Sequence, residues 1–159
     1  MLLIFLGFDE ISWAIRKSFD HCETFDCAFN YLSDAPIIAP GYIIMAGLKE
    51  NEGAIISRDR WGPANITTLS EDRWYLAETN EDHFAGVCHS RCRSANKNMQ
   101  ALGQQALDLE KLKFDVLFQE PNFNHETLYQ SMMVPSQGLF DTIITVYPTV
   151  PPREPVHVE

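Results

Sequence analysis

The chain has 159 residues, 45% of them hydrophobic and 21% charged, a composition that predicts one globular domain with a single core. Its formal net charge is −10, from 22 acidic and 12 basic residues. This acidic balance opposes binding to nucleic-acid phosphates and to anionic membrane surfaces, so we expect no nucleic-acid partner. No apolar run reaches the roughly 20 residues of a transmembrane helix, so we expect no membrane span.

The chain begins with an apolar run, Met1–Phe8, which is followed directly by Asp9 and Glu10. A signal peptide would carry a basic residue before such a run and a small-residue cleavage site after it. Neither is present. We therefore expect no signal peptide here, and we interpret the run as the buried beginning of an element whose upstream partner is absent.

Four cysteines, Cys22, Cys27, Cys88 and Cys92, could form two disulfides in an oxidising compartment, and three pairings exist on paper. The spacing of Cys88 and Cys92, with His89 between them, would also place two sulfurs on one helical face as metal ligands. The ligand set is incomplete, however, and we favour unlinked or partly buried cysteines. We predict no metal and no cofactor.

Helical periodicity comes first along the chain. Between Ile11 and Leu32 the apolar residues recur at intervals of three and four, which predicts amphipathic helices. A break at residues 21–23 divides them, and Thr24 is a suitable N-cap for the second helix. Pro36 forbids further helix. Two consecutive helices with one apolar face each are expected to cover a flat layer.

That layer is predicted to be a sheet of four short strands. The first, Tyr42–Ala46, is continuously apolar, which predicts burial on both faces. The second is predicted over Ala54–Arg60. Pro63 interrupts the chain before a third strand, Ile66–Leu69, and the fourth covers Trp74–Thr79. Because short turns join all four, we expect an antiparallel meander.

The remainder is predicted to be mixed. A helix is expected over Ser90–Leu107, ending near Gly103, and a weaker one over His125–Met133, capped by Asn124. Phe140–Tyr147 is rich in Ile, Thr and Val and predicts a last strand.

Helices, an antiparallel meander, further helices and a strand define an α+β protein. We expect one domain over residues 1–147. The tail, residues 148–159, is rich in proline and is expected to be extended and mobile.

The most specific signal lies between Glu52 and Phe84, where EGAIISRDR is followed by GPA and then by WYLAETNEDHF. With the SWAIR helix at residues 12–16, this series resembles the catalytic chain of the N-acylethanolamine acid amidase and acid ceramidase family. The resemblance covers most of the chain and corresponds to the C-terminal part of the family's catalytic chain. It implies part of an N-terminal-nucleophile hydrolase fold, a four-layer αββα sandwich with antiparallel sheets.

The resemblance also implies an activity, the hydrolysis of a lipid amide such as a fatty-acid amide or a ceramide-like lipid, and a lysosomal location. The family's nucleophile is an N-terminal cysteine followed by Thr-Ser, whose own α-amino group acts as base. No Cys-Thr-Ser occurs in this sequence. We therefore expect the chain to be inactive alone and to need the missing N-terminal portion of the same enzyme. The alternative is a non-enzymatic relative that binds a lipid or a partner.

Site residues follow from the same resemblance. Asn80, in Glu-Thr-Asn, corresponds to the oxyanion-hole asparagine, although asparagine also simply ends strands and starts turns. Thirteen positions on, Arg93 corresponds to the family's active-site arginine, or is a solvated helical arginine. The acidic pair that precedes this arginine in the family is replaced here by Arg91 and Cys92. Glu81 stands where the family usually has tyrosine. The sequon at Asn65 permits glycosylation in a secreted chain.

Overall fold

The computed structural model of the chain describes residues 7–145. As predicted, helices and antiparallel sheets make up the described part, and none of its helices is long and apolar enough to cross a bilayer. The main elements are α1 (Ile11–His21), α2 (Phe25–Asp34), β1 (Gly41–Ala46), β2 (Gly53–Arg58), β3 (Pro63–Thr68), α3 (Ser90–Leu102), β4 (Tyr129–Val134) and β5 (Leu139–Ile144). Shorter helical turns lie at His83–Ala85, Gln104–Ala106, Leu109–Lys111, Leu112–Leu117 and Pro135–Gln137.

The first two helices form where the spacing predicts them. At the start of α1 the Glu10 carboxylate accepts a hydrogen bond from the backbone N–H of Ser12. At the start of α2 the Thr24 hydroxyl accepts one from the N–H of Cys27, which confirms the predicted cap. The apolar faces of both helices cover β1 and β2, as expected for helices over a flat layer. The buried core between them consists of Ala14, Leu32, Ile37, Ile43 and Ile56.

The sheet β1–β2–β3 is antiparallel, and its register defines two faces. Ile43 pairs with Ile56 on the face that the helices cover. Ile44 pairs with Ile55, and Ile55 pairs with Thr67, on the opposite face. Ile44 is 64% exposed, so the predicted burial of the first strand on both faces is wrong. Only β2, the central strand, is buried along its whole length.

Two strand predictions need correction. Pro63 begins β3 rather than interrupting the chain before it, because β3 is an edge strand whose N–H groups are not all needed for pairing. Trp74–Thr79 is not a strand. Its side chains pack instead: the Tyr75 hydroxyl donates a hydrogen bond to Oδ1 of Asn96 in α3, at 2.9 Å. Residues with high strand propensity favour half-buried surfaces. This segment is half-buried by packing and needs no pairing partner for it.

The C-terminal part of the described chain also differs from the prediction. The predicted helix over His125–Met133 is wrong, because β4 pairs antiparallel with β5 there. Along β4, Met132 is buried and Met133 is 64% exposed, which is the two-residue alternation of a strand. The Asn124 side chain accepts a hydrogen bond from the N–H of Glu126 and starts a turn rather than a helix.

The other predicted C-terminal elements agree better with the structure. Helix α3 ends at Gly103, as predicted, and β5 confirms the last strand within the described residues. The end of that predicted strand and the whole tail, residues 146–159, lie outside the described residues.

All four cysteines are linked, which corrects the preference for unlinked cysteines. Cys22, at the end of α1, is joined to Cys27 in the first turn of α2, because the tight connection brings their Cα atoms within 5.4 Å. Cys88 is joined to Cys92 across the start of α3. Cys88 and Cys92 are bonded to each other, so neither has a free thiolate, and they do not form a metal site with His89. No other metal-binding cluster occurs among residues 7–145.

Removing the helix-connecting disulfide gives a first prediction. The double variant C22S/C27S is expected to lower the free energy of unfolding by about 2 kcal/mol, because it frees a short loop in the unfolded chain. Urea unfolding followed by circular dichroism measures the change. The unsubstituted chain under reducing conditions should lose at least as much, because reduction also opens Cys88–Cys92. Equal stability of the variant and the unsubstituted chain would contradict the prediction.

Candidate active-site segment

The motif segment 78–83 lies across the sheet face opposite α1 and α2. Two strands hold its end. The Tyr42 hydroxyl of β1 donates a hydrogen bond to Oδ1 of Asp82 at 2.6 Å, and Nε2 of His83 lies 3.1 Å from Oγ1 of Thr67 in β3. The bond to Asp82, with burial, raises the pKa of Tyr42 to about 12, so its hydroxyl remains a donor.

Glu78 and His83, the first and last residues of the segment, are in contact with each other. Oε2 of Glu78 is 2.6 Å from Nδ1 of His83, and the two side chains are 3% and 23% exposed. At this distance the carboxylate oxygen and the ring nitrogen are in direct polar contact. Burial raises the pKa of Glu78 above its ordinary value, and the neighbouring His83 opposes that rise. These two residues were not among the predicted site residues, although they are the acid and the histidine of the motif itself.

Asn80 lies at an exposed bend between Glu78 and His83. The Arg91 guanidinium donates a hydrogen bond to Oδ1 of Asn80. Because arginine has no acceptor, the amide oxygen is the end that faces Arg91, and the Nδ2 hydrogens remain available as donors. A fixed amide N–H is the group that stabilises a developing oxyanion.

Glu81 turns towards the start of α3. Its Oε2 accepts a hydrogen bond from the backbone N–H of His89 at 2.7 Å, and its Oε1 lies 2.8 Å from the ring Nδ1. The backbone hydrogen bond is the largest of the effects that lower the pKa of Glu81. The Glu81 carboxylate, which is next to Asn80 in the chain, therefore points towards α3. The sequence alone does not show which way this side chain points.

Arg93 is exposed on α3. Within the described chain, no hydrogen bond or ion pair joins its side chain to Asn80, which Arg91 contacts instead. The role of Arg93 in the active site stays a prediction. Glycosylation of Asn65 also stays a prediction: that side chain is half-buried on β3, and its Oδ1 accepts a hydrogen bond from the Thr67 hydroxyl at 3.0 Å.

A cleft of about 490 Å³ lies between the sheet, the extended segment after β3 and helix α3. Thr67, Tyr75, His83 and the Cys88–Cys92 disulfide are among the groups that line it. Asn80 is not one of them. The candidate oxyanion donor therefore does not line this cleft.

A helical layer on one sheet face and a motif segment with an amide donor across the other define part of an N-terminal-nucleophile hydrolase sandwich. The solved structure of the Caenorhabditis elegans N-acylethanolamine-hydrolyzing acid amidase (NAAA) ortholog is similar, with a TM-score of 0.73 and 32% identity, over 85% of this chain and 61% of that chain. The chain belongs to the N-acylethanolamine acid amidase and acid ceramidase family.

Two relatives show the extent of the similarity. The chain is 41% identical to the Mus musculus N-acylethanolamine-hydrolyzing acid amidase over 132 residues, which are 80% of this chain and 36% of the relative. It is 27% identical to the Homo sapiens acid ceramidase over 146 residues, which are 87% of this chain and 37% of the relative. The chain therefore spans little more than a third of these relatives. No protein-family model matches it.

Proposed function

We propose that this chain is the C-terminal portion of a lipid-amide hydrolase and that Asn80 donates to the oxyanion hole. The observation that carries this proposal is the state of the Asn80 amide: its oxygen is engaged by Arg91, and its N–H groups are left as donors. The substrate class is a fatty-acid amide or a ceramide-like lipid, in keeping with the names of the relatives. Arg93 is kept as a second candidate site residue.

The nucleophile comes from outside this chain. The sequence contains no Cys-Thr-Ser, and all four of its cysteines are in disulfides, so it has no thiol to offer. An upstream portion of the same enzyme would supply the N-terminal cysteine. Its sulfur attacks the amide carbonyl, its α-amino group takes the thiol proton, and the carbonyl oxygen becomes the oxyanion that Asn80 faces. We propose that the 159-residue chain alone is inactive and needs no cofactor.

Uncovered apolar surface supports the need for an upstream portion. On the sheet face that carries the motif segment, Ile44 is 64% exposed. On the β4–β5 hairpin, Tyr129, Phe140 and Ile144 are each more than 60% exposed. Apolar area of this extent marks a contact surface. By family resemblance we propose a lysosomal location, with Asn65 as the candidate glycan acceptor.

The alternative is a non-enzymatic relative that binds a lipid or a partner. Two disulfides and a buried core between helices and sheet favour it, because both stabilise the folded state of the isolated chain. A cooperative unfolding transition of the isolated chain, with no amidase activity after it is joined to an upstream portion, would support this alternative.

The hydrolase proposal makes a kinetic prediction. The chain is joined to an upstream portion of a family member that begins Cys-Thr-Ser, and a fatty-acid ethanolamide is assayed at acid pH. N80A is expected to lower kcat about a hundredfold with little change in KM, because the donor acts on the oxyanion rather than on the bound substrate. Asn98, half-exposed on α3, provides the matched control, and N98A should retain activity. Full activity of N80A would exclude the oxyanion role, and an inactive, folded joined protein would overturn the proposal.

A further inference from the structure

Two hydrogen bonds bind the bend that carries Asn80 to the start of α3, and a disulfide closes the loop that makes them. The Arg91 guanidinium donates to Asn80, and the Glu81 carboxylate accepts from the backbone of His89. The Cys88–Cys92 disulfide closes a five-residue loop that contains Arg91. The bend is therefore tied at two successive residues to a short loop that is itself closed.

The link to Asn80 decides which end of its amide faces outward. A free carboxamide can turn over and present either its oxygen or its N–H groups, and an oxyanion is stabilised only by the N–H end. A donor that must first reorient is worth less in the transition state than one already in place. Arg91 can only donate, so its hydrogen bond favours one of the two orientations.

The residues that make these links act on one bend: Glu81 and Arg91 hold its two successive residues, and Cys92 closes the loop that contains Arg91. The Arg91 charge is also one of the effects that lower the pKa of Glu81, so the two charged groups are complementary.

We propose that Arg91 is a positioning residue that fixes the amide orientation of Asn80, and that the Cys88–Cys92 disulfide holds Arg91 in place. The catalytic consequence rests on the proposed function, but the amide orientation does not. The two parts can therefore be tested separately on the same variants.

The first experiment observes the amide directly in the isotope-labelled 159-residue chain. The Nδ2 hydrogens of Asn80 give NMR signals that are identified by their loss in N80D. In R91A the Asn80 amide group is expected to lose rigidity, with a side-chain order parameter that falls below about 0.6, because the hydrogen bond that holds its oxygen is lost. C88S/C92S should change the order parameter in the same direction. R91K, which keeps a charged donor, should restore part of the rigidity.

Two controls distinguish positioning from a general structural effect. K97A removes an exposed cation from the same helix and should leave the Asn80 signals unchanged. The backbone amide spectrum shows whether R91A remains folded, and R91M, which keeps the aliphatic stem without a donor, replaces it if R91A unfolds. Identical Asn80 signals in the unsubstituted, R91A and R91M chains would overturn the proposal.

The second experiment uses the joined protein. R91A is expected to lower kcat about tenfold with little change in KM, less than the loss in N80A, because the donor is still present but misplaced. An unchanged kcat in R91A, with N80A impaired, would refute the catalytic consequence. If the joined protein is inactive while R91A still frees the Asn80 amide in the 159-residue chain, the positioning role is supported and the proposed hydrolase function is not.

Discussion

Replacing Arg58 by alanine is expected to lower the free energy of unfolding by about 4 kcal/mol, because it removes a buried cation that satisfies two carbonyl groups and leaves a void. Arg58 is in β2 and only 2% exposed. Its Nη1 donates to the carbonyl oxygen of Leu32, and its Nη2 donates to that of Ala35 at 2.6 Å. Both acceptors lie at the C-terminal end of α2.

The sequence explains why this helix end needs a side chain. In a continuing helix the carbonyl of Leu32 would accept from the N–H four residues later, but that residue is Pro36, which has no N–H. The Arg58 guanidinium supplies the missing donor from the sheet. The motif arginine thus connects α2 to β2, and its role in this chain is structural.

Urea unfolding at fixed pH measures the loss in R58A. R58K should be intermediate, because a single ammonium group does not reproduce the fork that reaches two carbonyls. Arg60 is the matched control: it is exposed, its Nε donates to the carbonyl of Ile38 at 2.9 Å, and R60A should cost about 1 kcal/mol or less. If R58A and R60A are equally stable, the capping role of Arg58 is wrong.

Local signals were sufficient for the first two helices. The periodicity of α1 and α2 and the Thr24 cap involve residues within a few positions of one another, and both are confirmed. Trp74–Thr79 and the β4 region were mispredicted because each short apolar run fits more than one structure. Whether such a run pairs or packs depends on distant residues, here Asn96 for the first and β5 for the second.

The candidate site divides in the same way. Asn80 is a candidate because the Glu-Thr-Asn motif contains it, and its role in the oxyanion hole stays a prediction. Its contact with Arg91 could not, because eleven positions and a disulfide-closed loop separate the two residues. The direction of Glu81 depends on the backbone of His89, which no pattern of side chains reveals. Sequence therefore names the candidate residues, whereas the contacts show what holds them.

The buried contact between Glu78 and His83, at the two ends of the motif segment, gives the second large prediction. H83A is expected to lower the free energy of unfolding by about 4 kcal/mol near pH 7, because it leaves the carboxylate of Glu78 buried without its partner. The double variant E78Q/H83A should recover part of this loss, since the amide carries no charge. Urea unfolding of the single and double variants measures both effects.

The pH dependence of this loss follows from the raised pKa of Glu78. Burial makes the folded state hold this proton more tightly than the unfolded state, so the group's contribution is present below its ordinary pKa of 4.5 and is lost as pH rises through the folded value. His83 opposes that rise, and H83A should therefore make stability fall more steeply as pH rises above the ordinary pKa of 4.5. The contact between Glu81 and His89 is the control: it lowers the pKa of Glu81, so its contribution is lost on acidification. A pH-independent loss in H83A would show that Glu78 is not the buried charge responsible.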